Sequence, residues 1–107
     1  MLARIQVTSP VRRGQAMEVR LLLQHPMETG FRYDFSGTSI PKNVIHSLSA
    51  EYGGRTVFRA TMGSGVAANP LLQFWVVPDQ SGDIRVQWQD DQGVRGQVSA
   101  WVEVLPR

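Results

Sequence analysis

The sequence predicts an all-β protein, an immunoglobulin-like antiparallel β-sandwich of about seven strands. Two observations support this class: apolar and polar residues alternate with period two in seven separate runs, and helical spacing is nearly absent. Turn residues separate the runs, and about seven short strands in about 100 residues are typical of a two-sheet sandwich. At 107 residues, the chain is predicted to form one domain, residues 1–107, with one hydrophobic core.

The first four predicted strands each send alternate side chains inward. These inward positions are Ile5 and Val7; Met17, Val19, Leu21 and Leu23; Val44, Leu48, Ala50 and Tyr52; and Thr56, Phe58, Ala60 and Met62. His46 is in phase with Val44 and Leu48, so it is predicted to be a core histidine. Gly53-Gly54 joins the third strand to the fourth, because two glycines adopt the positive φ of a two-residue hairpin at low cost.

The last three predicted strands are separated by turn-rich segments at residues 78–82 and 90–93. The fifth strand, Leu71 to Val77, is apolar almost throughout. The sixth and seventh strands send inward Ile84, Val86 and Trp88, and then Val98, Ala100, Val102 and Val104. Because the chain contains no cysteine, no disulfide joins the sheets and apolar packing must hold them together, with Trp88 predicted at its centre.

One connection is unusually long. From Gln24 to Lys42, about 18 residues show no clear strand alternation, and loops longer than about 12–15 residues are uncommon in small domains unless they are functional or disordered. Three aromatic residues within it, Phe31, Tyr33 and Phe35, argue against disorder, since aromatic side chains can anchor a loop. The connection is therefore expected to be ordered.

Two loop segments are longer and more unusual than simple turns require. They are His25–Gly30, which reads HPMETG, and Gly63–Pro70, which reads GSGVAANP. Together with Ile40–Ile45 (IPKNVI) between them, these segments resemble the SoxZ family, and the resemblance extends over nearly the whole chain. SoxZ proteins are the cysteine-free subunit of the sulfur-oxidation carrier SoxYZ.

The resemblance implies a non-catalytic subunit of a thiosulfate-oxidation carrier complex. In that family, the SoxY subunit has a flexible C-terminal arm whose cysteine carries the sulfur intermediates, and the SoxZ subunit stabilises and presents SoxY. The implied partner is a SoxY-like subunit in a heterodimer, with transient contacts to other sulfur-oxidation enzymes; a homo-oligomer of the isolated chain stays open. The implied location is the periplasm, reached by co-export with a signal-bearing partner, because the N-terminus shows no signal-peptide pattern.

The motif loops are predicted to bind the partner, since rigid loops bounded by proline suit a docking surface. The residues expected to do so are His25, Pro26, Met27, Glu28, Thr29, Gly30, Val66, Asn69 and Pro70. If successive strands alternate in direction, the connections after the second, fourth and sixth strands share one pole, so the two motif loops should converge there. His25 and Asn69 are then expected to offer polar contacts near the partner's cysteine arm.

A sheet face is the second predicted partner-binding surface. The fifth strand has apolar residues on both sides, whereas a half-exposed antiparallel strand should have one polar side. Leu71, Trp75 and Val77 are expected on its outer side, with Leu22 of the second strand near Trp75, because these two strands share a sheet in immunoglobulin topology. Trp101, on the opposite sheet, ranks second. The alternative is that an N-terminal strand or the long loop folds over this patch.

Other classes of function find less support in the sequence. The rival hypothesis is a periplasmic copper-binding or adhesive module, with His25 and Met27 as soft-metal ligands and His46 or Met62 as a third. No catalytic residue, cofactor or metal is predicted, since the chain lacks a nucleophile elbow and a phosphate-binding loop. The net charge of +2 and the scattered arginines argue against nucleic acid, and no run is long enough to span a membrane.

Overall fold

The protein, described by a computed structural model over residues 3–106, consists of β-strands and loops. The strands are β1 (Ala3–Val7), β2 (Val11–Arg12), β3 (Met17–Leu23), β4 (Ile45–Tyr52), β5 (Arg55–Thr61), β6 (Leu71–Val76), β7 (Gly82–Asp90), β8 (Arg95–Val102) and β9 (Val104–Leu105). Within the described residues, no helix is long and apolar enough to cross a membrane.

Two antiparallel sheets face one another. The smaller sheet has the order β1-β3-β6, and the larger sheet has the order β5-β4-β7-β8. The seven strands predicted from the sequence correspond to these seven, and the second and fifth predicted strands, β3 and β6, are indeed neighbours in one sheet. The all-β class and the antiparallel sandwich are thus confirmed.

Two very short strands were not predicted. β2 and β9 pair in parallel, with Val11 opposite Val104 and Arg12 opposite Leu105. This pairing ends the last long strand early: the sequence pattern continues to Val104, but β8 stops at Val102 and the chain leaves the large sheet at Glu103. Ser9 Oγ accepts a hydrogen bond from the Glu103 backbone at 2.8 Å, which holds the chain at this change of sheet.

The core lies between the inner faces of β3, β4 and β7, whose inward side chains are almost completely buried. Trp88 is 4 % exposed and packs across the neighbouring strand, directly over Gly96. A Cβ atom on Gly96 would lie 2.4 Å from the Trp88 ring, so a side chain at this position would displace the indole. The expectation that Trp88 belongs to the core is confirmed.

The backbone geometry agrees with the sequence prediction at the hairpin between β4 and β5 and differs from it at the start of β4. Gly53 and Gly54 form the two-residue turn with φ angles of 61° and 76°, as predicted. The register of β4 against β7, however, shifts between Ile45 and Ser47. This irregularity puts Ile45 in the core with 0 % exposure, whereas His46 is only half-buried, so the prediction of a core histidine at position 46 is wrong.

Candidate functional site

The two motif loops meet at one pole of the sandwich. The Asn69 side-chain oxygen accepts a hydrogen bond from the His25 backbone N–H at 3.1 Å. The Asn69 backbone N–H in turn donates to the His25 carbonyl at 2.8 Å. The two residues are 44 positions apart in the chain, so the prediction that the loops converge is confirmed.

The third connection at this pole joins them through a buried histidine–aspartate pair. His25 Nε2 lies 3.1 Å from Asp90 Oδ2, and both side chains are almost inaccessible to solvent. The Met27 backbone N–H donates to His25 Nδ1 at 2.9 Å, so Nδ1 is unprotonated and Nε2 carries the proton that it donates to Asp90. Both ring nitrogens are therefore engaged within the chain.

The Asp90 carboxylate is also bound by its own hairpin. Burial by itself would raise the pKa of Asp90, but hydrogen bonds from the Val94 backbone, the His25 ring and the Gln92 backbone together hold it below its usual range. Asp90 is consequently ionised near neutral pH. Its hydrogen-bond donors come from two adjoining loops.

Met27 occupies a strained position in the first motif loop. Its φ is 47°, in the left-handed region that non-glycine residues rarely adopt, and its side chain is 3 % exposed. The sulfur atom accepts a hydrogen bond from the Ile45 backbone at 3.3 Å. Asn69 has a φ of 53°; within residues 3–106, Met27 and Asn69 are the two non-glycine residues with positive φ, and each lies in one motif loop.

These contacts bear on the copper-binding hypothesis. Both ring nitrogens of His25 are engaged in hydrogen bonds within the chain, so this side chain offers no free lone pair to a metal. The Met27 sulfur is buried and already accepts a hydrogen bond from the Ile45 backbone. His46 lies on the half-buried entry to β4. In the part of the chain that the structure describes, no group of three histidine, cysteine or acidic side chains is close enough together to hold a metal ion.

The rest of the first motif builds the base of a long arm. Glu28 pairs with Asn43 through two backbone hydrogen bonds of 2.8 and 2.9 Å. Gly30 adopts a φ of 90°, and a Cβ atom there would lie 3.1 Å from the side chain of Lys42. The positive φ favours glycine at this position, and the close approach of Lys42 adds to that preference. Buried Asn43 Oδ1 has no hydrogen-bond partner within the described residues.

Residues 28–43, which we term the arm, form an irregular hairpin. Tyr33 and Ser39 form an isolated antiparallel β-bridge. The Asp34 carboxylate accepts hydrogen bonds from the backbone N–H groups of Ser36 and Thr38, both at 2.9 Å, and these bonds close the turn at the tip. The molecule measures 61 × 20 × 19 Å. The longest strand spans only about 30 Å, and each leg of the arm about 27 Å, so the arm extends the body along its long axis.

The arm carries the most exposed aromatic residues of the described chain. Phe31, Tyr33 and Phe35 are 82 %, 70 % and 111 % exposed. None of the three is buried against the body, and hydrogen bonds to Asp34 together with the backbone bridges hold the arm instead. The spacing of the three aromatics at every second residue was a signal for one apolar side of an extended segment.

The outer face of the small sheet is apolar where the sequence predicted it. Leu22, Leu71, Trp75 and Val77 are 43 %, 58 %, 64 % and 61 % exposed, and we term these four residues the sheet patch. No described segment of the chain covers them. Trp101 is 57 % exposed on the opposite sheet.

One detail of the sheet patch differs from expectation. Leu22 lies opposite Leu71, whereas Trp75 lies opposite Glu18. Leu22 and Trp75 are thus separated by four residues along the sheet, or about 13 Å, and the prediction that they are neighbours is wrong. The patch is a band along the β6 edge of the sheet rather than a single cluster.

The other predicted motif-loop residues differ in accessibility. Pro26 and Asn69 are exposed, and Glu28 and Thr29 are half-buried. Val66 packs against the core, and Pro70 is buried with its carbonyl bound to the Leu23 backbone. Within residues 3–106, the polar atoms at this pole therefore bond mainly to one another, and its accessible features are the arm and the exposed loop positions.

These observations define a class of protein: a small β-sandwich with two exposed apolar surfaces, the sheet patch and the aromatics of the arm. The family model described as "Sulphur oxidation protein SoxZ" matches residues 5–100, and the chain belongs to this family. Members of the family are non-catalytic, periplasmic components of sulfur oxidation that act together with a SoxY subunit.

Comparison with solved structures supports the fold. The superoxide reductase (neelaredoxin) from Ignicoccus hospitalis has a TM-score of 0.72 at 17% identity, with 98% of this chain and 81% of that chain covered. Two further structures of that reductase match with the same TM-score at 16% identity, covering 96% of this chain and 79% of theirs. At this identity, the likeness shows a shared fold alone. No curated protein sequence matches the chain.

Proposed function

We propose that this chain binds and presents a SoxY-like subunit whose cysteine carries the intermediates of thiosulfate oxidation. The observation that carries the proposal is the family match over residues 5–100, read together with the absence of cysteine from all 107 residues. A persulfide or thiosulfonate needs a thiol, and methionine thioethers do not supply one. The sulfur-bearing residue therefore belongs to another chain.

The sheet patch is the proposed main contact with this subunit. An exposed apolar band on an otherwise polar small domain marks a protein–protein interface, and tryptophan is a frequent source of binding energy there. Leu71, Trp75 and Val77 project from the same side of β6 and its end, and Leu22 continues the band onto β3. Burial by a partner removes this surface from water.

The pole of the motif loops is the proposed second contact. Pro26 and Asn69 are accessible to the partner's cysteine arm, whereas His25 and Met27 act indirectly by keeping the loops in one conformation. The exposed aromatics of the arm offer a further surface for transient contacts with other sulfur-oxidation enzymes. A rigid loop base with accessible residues suits a subunit that presents the partner's mobile cysteine arm to several enzymes.

Co-expression with a signal-bearing SoxY-like subunit tests the proposal. We expect the two chains to co-purify from the periplasm as a heterodimer, and this chain to stay in the cytoplasm when it is expressed alone. After turnover with thiosulfate, intact-mass analysis should find sulfur adducts on the SoxY-like subunit. A stable adduct on this chain, or failure of the two chains to associate, contradicts the proposal.

A further inference from the structure

Strand β6 forms an edge of the small sheet, since it pairs with β3 on one side only. The phase of its hydrogen bonds follows from the Leu23 backbone N–H, which donates to the Pro70 carbonyl at 3.1 Å. In an antiparallel pair, alternate residues direct both backbone groups toward the partner strand. Leu72, Phe74 and Val76 therefore bond to β3.

The intervening residues of β6 direct their backbone groups away from the sheet. These residues are Leu71, Gln73 and Trp75, and within residues 3–106 no strand pairs with that edge. The backbone of Glu18, which lies opposite Trp75, is consistent with this pattern. Its carbonyl points away from β6 and accepts a hydrogen bond from the Thr8 backbone, just after β1, at 3.2 Å. The free edge thus offers three N–H and three C=O groups in a row.

This edge lacks the protection that soluble proteins usually give to edge strands. Charged residues, proline or a covering segment normally prevent pairing with another chain. The sequence of β6, LLQFWV, contains no charge, proline or glycine. The other edge strands differ: β5 contains Arg55 and Arg59, and β1 packs against β8.

The two sheets also differ in width beside this edge. The small sheet has three strands and the large sheet has four, and within residues 3–106 no strand of the small sheet lies beyond β6. The inward residues of β4, Leu48 and Ala50, are 2 % and 0 % exposed, whereas Phe58 and Ala60 beside them on β5 are only half-buried. Phe58 stacks on Phe74 with ring centroids 4.2 Å apart, so β6 covers β5 only in part.

We propose that β6 receives an extended strand from the SoxY-like partner, which becomes the fourth strand of the small sheet. This inference rests on the proposed function and names the surface that serves it. The incoming backbone bonds to Leu71, Gln73 and Trp75, its outer side chains pack beside the sheet patch, and its inner side chains cover Phe58. One added strand thus satisfies the free edge and completes the core.

Charge distinguishes the partner from a second copy of this chain. Arg55 lines the groove between β5 and β6 together with Trp75 and Asp79, and no ion pair involves it within the described residues. The incoming strand is expected to place a carboxylate near this guanidinium. If the β6 strands of two copies paired antiparallel with their Gln73 residues opposite each other, Pro70 and Leu71 of one copy would lie near Arg55 of the other. Neither of these two residues is acidic.

Amide hydrogen exchange on the free chain and on the heterodimer tests this arrangement. In the free chain, the amides of Leu72, Phe74 and Val76 should exchange slowly and those of Gln73 and Trp75 quickly. In the heterodimer, exchange at Gln73 and Trp75 should slow by at least about tenfold. Unchanged exchange at both amides in a heterodimer that has formed overturns the strand addition and leaves the proposed function standing.

A substitution at Gln73 provides a second measurement. Gln73→Pro removes an outward N–H that β3 does not use, whereas Gln73→Ala changes the same exposed side chain and retains the N–H. We expect Gln73→Pro to weaken the heterodimer at least about tenfold and Gln73→Ala to leave it within about twofold. Equal affinity of both variants, each checked for native folding by circular dichroism, contradicts the inference.

The isolated chain provides the remaining control. If it dimerises and the same Gln73 and Trp75 amides become protected with rising concentration, the occupant of the edge is a second copy and the assignment to the partner is wrong. If the SoxY-like subunit does not bind at all, the proposed function fails. If it binds with an unprotected β6 edge, only the present inference fails.

Discussion

His25 Nε2 donates a hydrogen bond to Asp90 Oδ2 over 3.1 Å, and this contact joins two loops that are 65 residues apart in the chain. Because Met27 N–H occupies the other ring nitrogen, the imidazole has one tautomer and one orientation. The pair lies beneath the converged motif loops, with exposed fractions of 2 % and 3 % for His25 and Asp90. It fixes the pole from which the arm projects.

The substitution Asp90→Asn should destabilise the fold in a pH-dependent way. An asparagine amide would point a donor at the His25 N–H, so we expect a loss of about 2 kcal/mol in the free energy of unfolding at neutral pH. Folding lowers the pKa of Asp90 from its usual value of 3.8. A lowered pKa stabilises the native state above the usual value, and this contribution disappears as the pH falls through the folded value.

Denaturant unfolding of both proteins between about pH 6 and about pH 3 measures the effect. The difference in unfolding free energy between the natural chain and Asp90→Asn should be large at the upper end and smaller at the lower end. Asp83→Asn makes the same change at an exposed position of the same strand and serves as the control. A difference that stays constant with pH would show that the Asp90 charge does not contribute.

The substitution Gly96→Ala should destabilise the core by about 1–3 kcal/mol, because its Cβ would overlap the Trp88 ring. Gly65→Ala is a matched control, since nothing lies within 4 Å of a Cβ there and its φ is not in the left-handed region. Thermal unfolding followed by tryptophan fluorescence measures both. Equal melting temperatures for the two variants would mean that Trp88 repacks without cost.

Most long strands of this fold could be predicted because apolar and polar residues alternate along them, and β6 could be predicted from a continuous apolar run. The convergence of the motif loops followed from strand parity alone. In contrast, β2 and β9 are two residues each, too short to show any periodicity in the sequence. The register shift at His46 likewise contains no glycine or proline from which it could be predicted.

The sequence predicted which residues belong to the candidate site better than it predicted how they are placed relative to one another. The apolar residues on both sides of β6 predicted an exposed apolar patch, but the register that pairs Leu22 with Leu71 depends on where β3 and β6 begin. The aromatics of the arm were noted in the sequence, but the sequence of one extended segment does not show whether it packs on the body or projects from it. Asp90, the buried partner of His25, comes from a loop 65 residues away, and a single sequence does not show that the two residues pair.

The substitution Trp75→Ala should weaken the complex with the SoxY-like subunit by about 2 kcal/mol or more, because a 64 % exposed tryptophan loses its contact surface. Trp101→Ala is the matched control, with 57 % exposure on the opposite sheet. Calorimetric titration of both variants measures the difference. If Trp75→Ala unfolds the isolated chain and leaves affinity unchanged, Trp75 belongs to the core rather than to the interface.

Replacing Phe31, Tyr33 and Phe35 together by alanine should change the free energy of unfolding by no more than about 0.5 kcal/mol, since these side chains are exposed. Phe74→Ala removes a 5 % exposed ring from the same chain and should cost about 3–5 kcal/mol. The triple variant should nevertheless bind other sulfur-oxidation enzymes more weakly than the natural chain, as surface plasmon resonance can measure. A large loss of stability in the triple variant would show instead that the arm folds back onto the body in solution and that its aromatics are anchors after all.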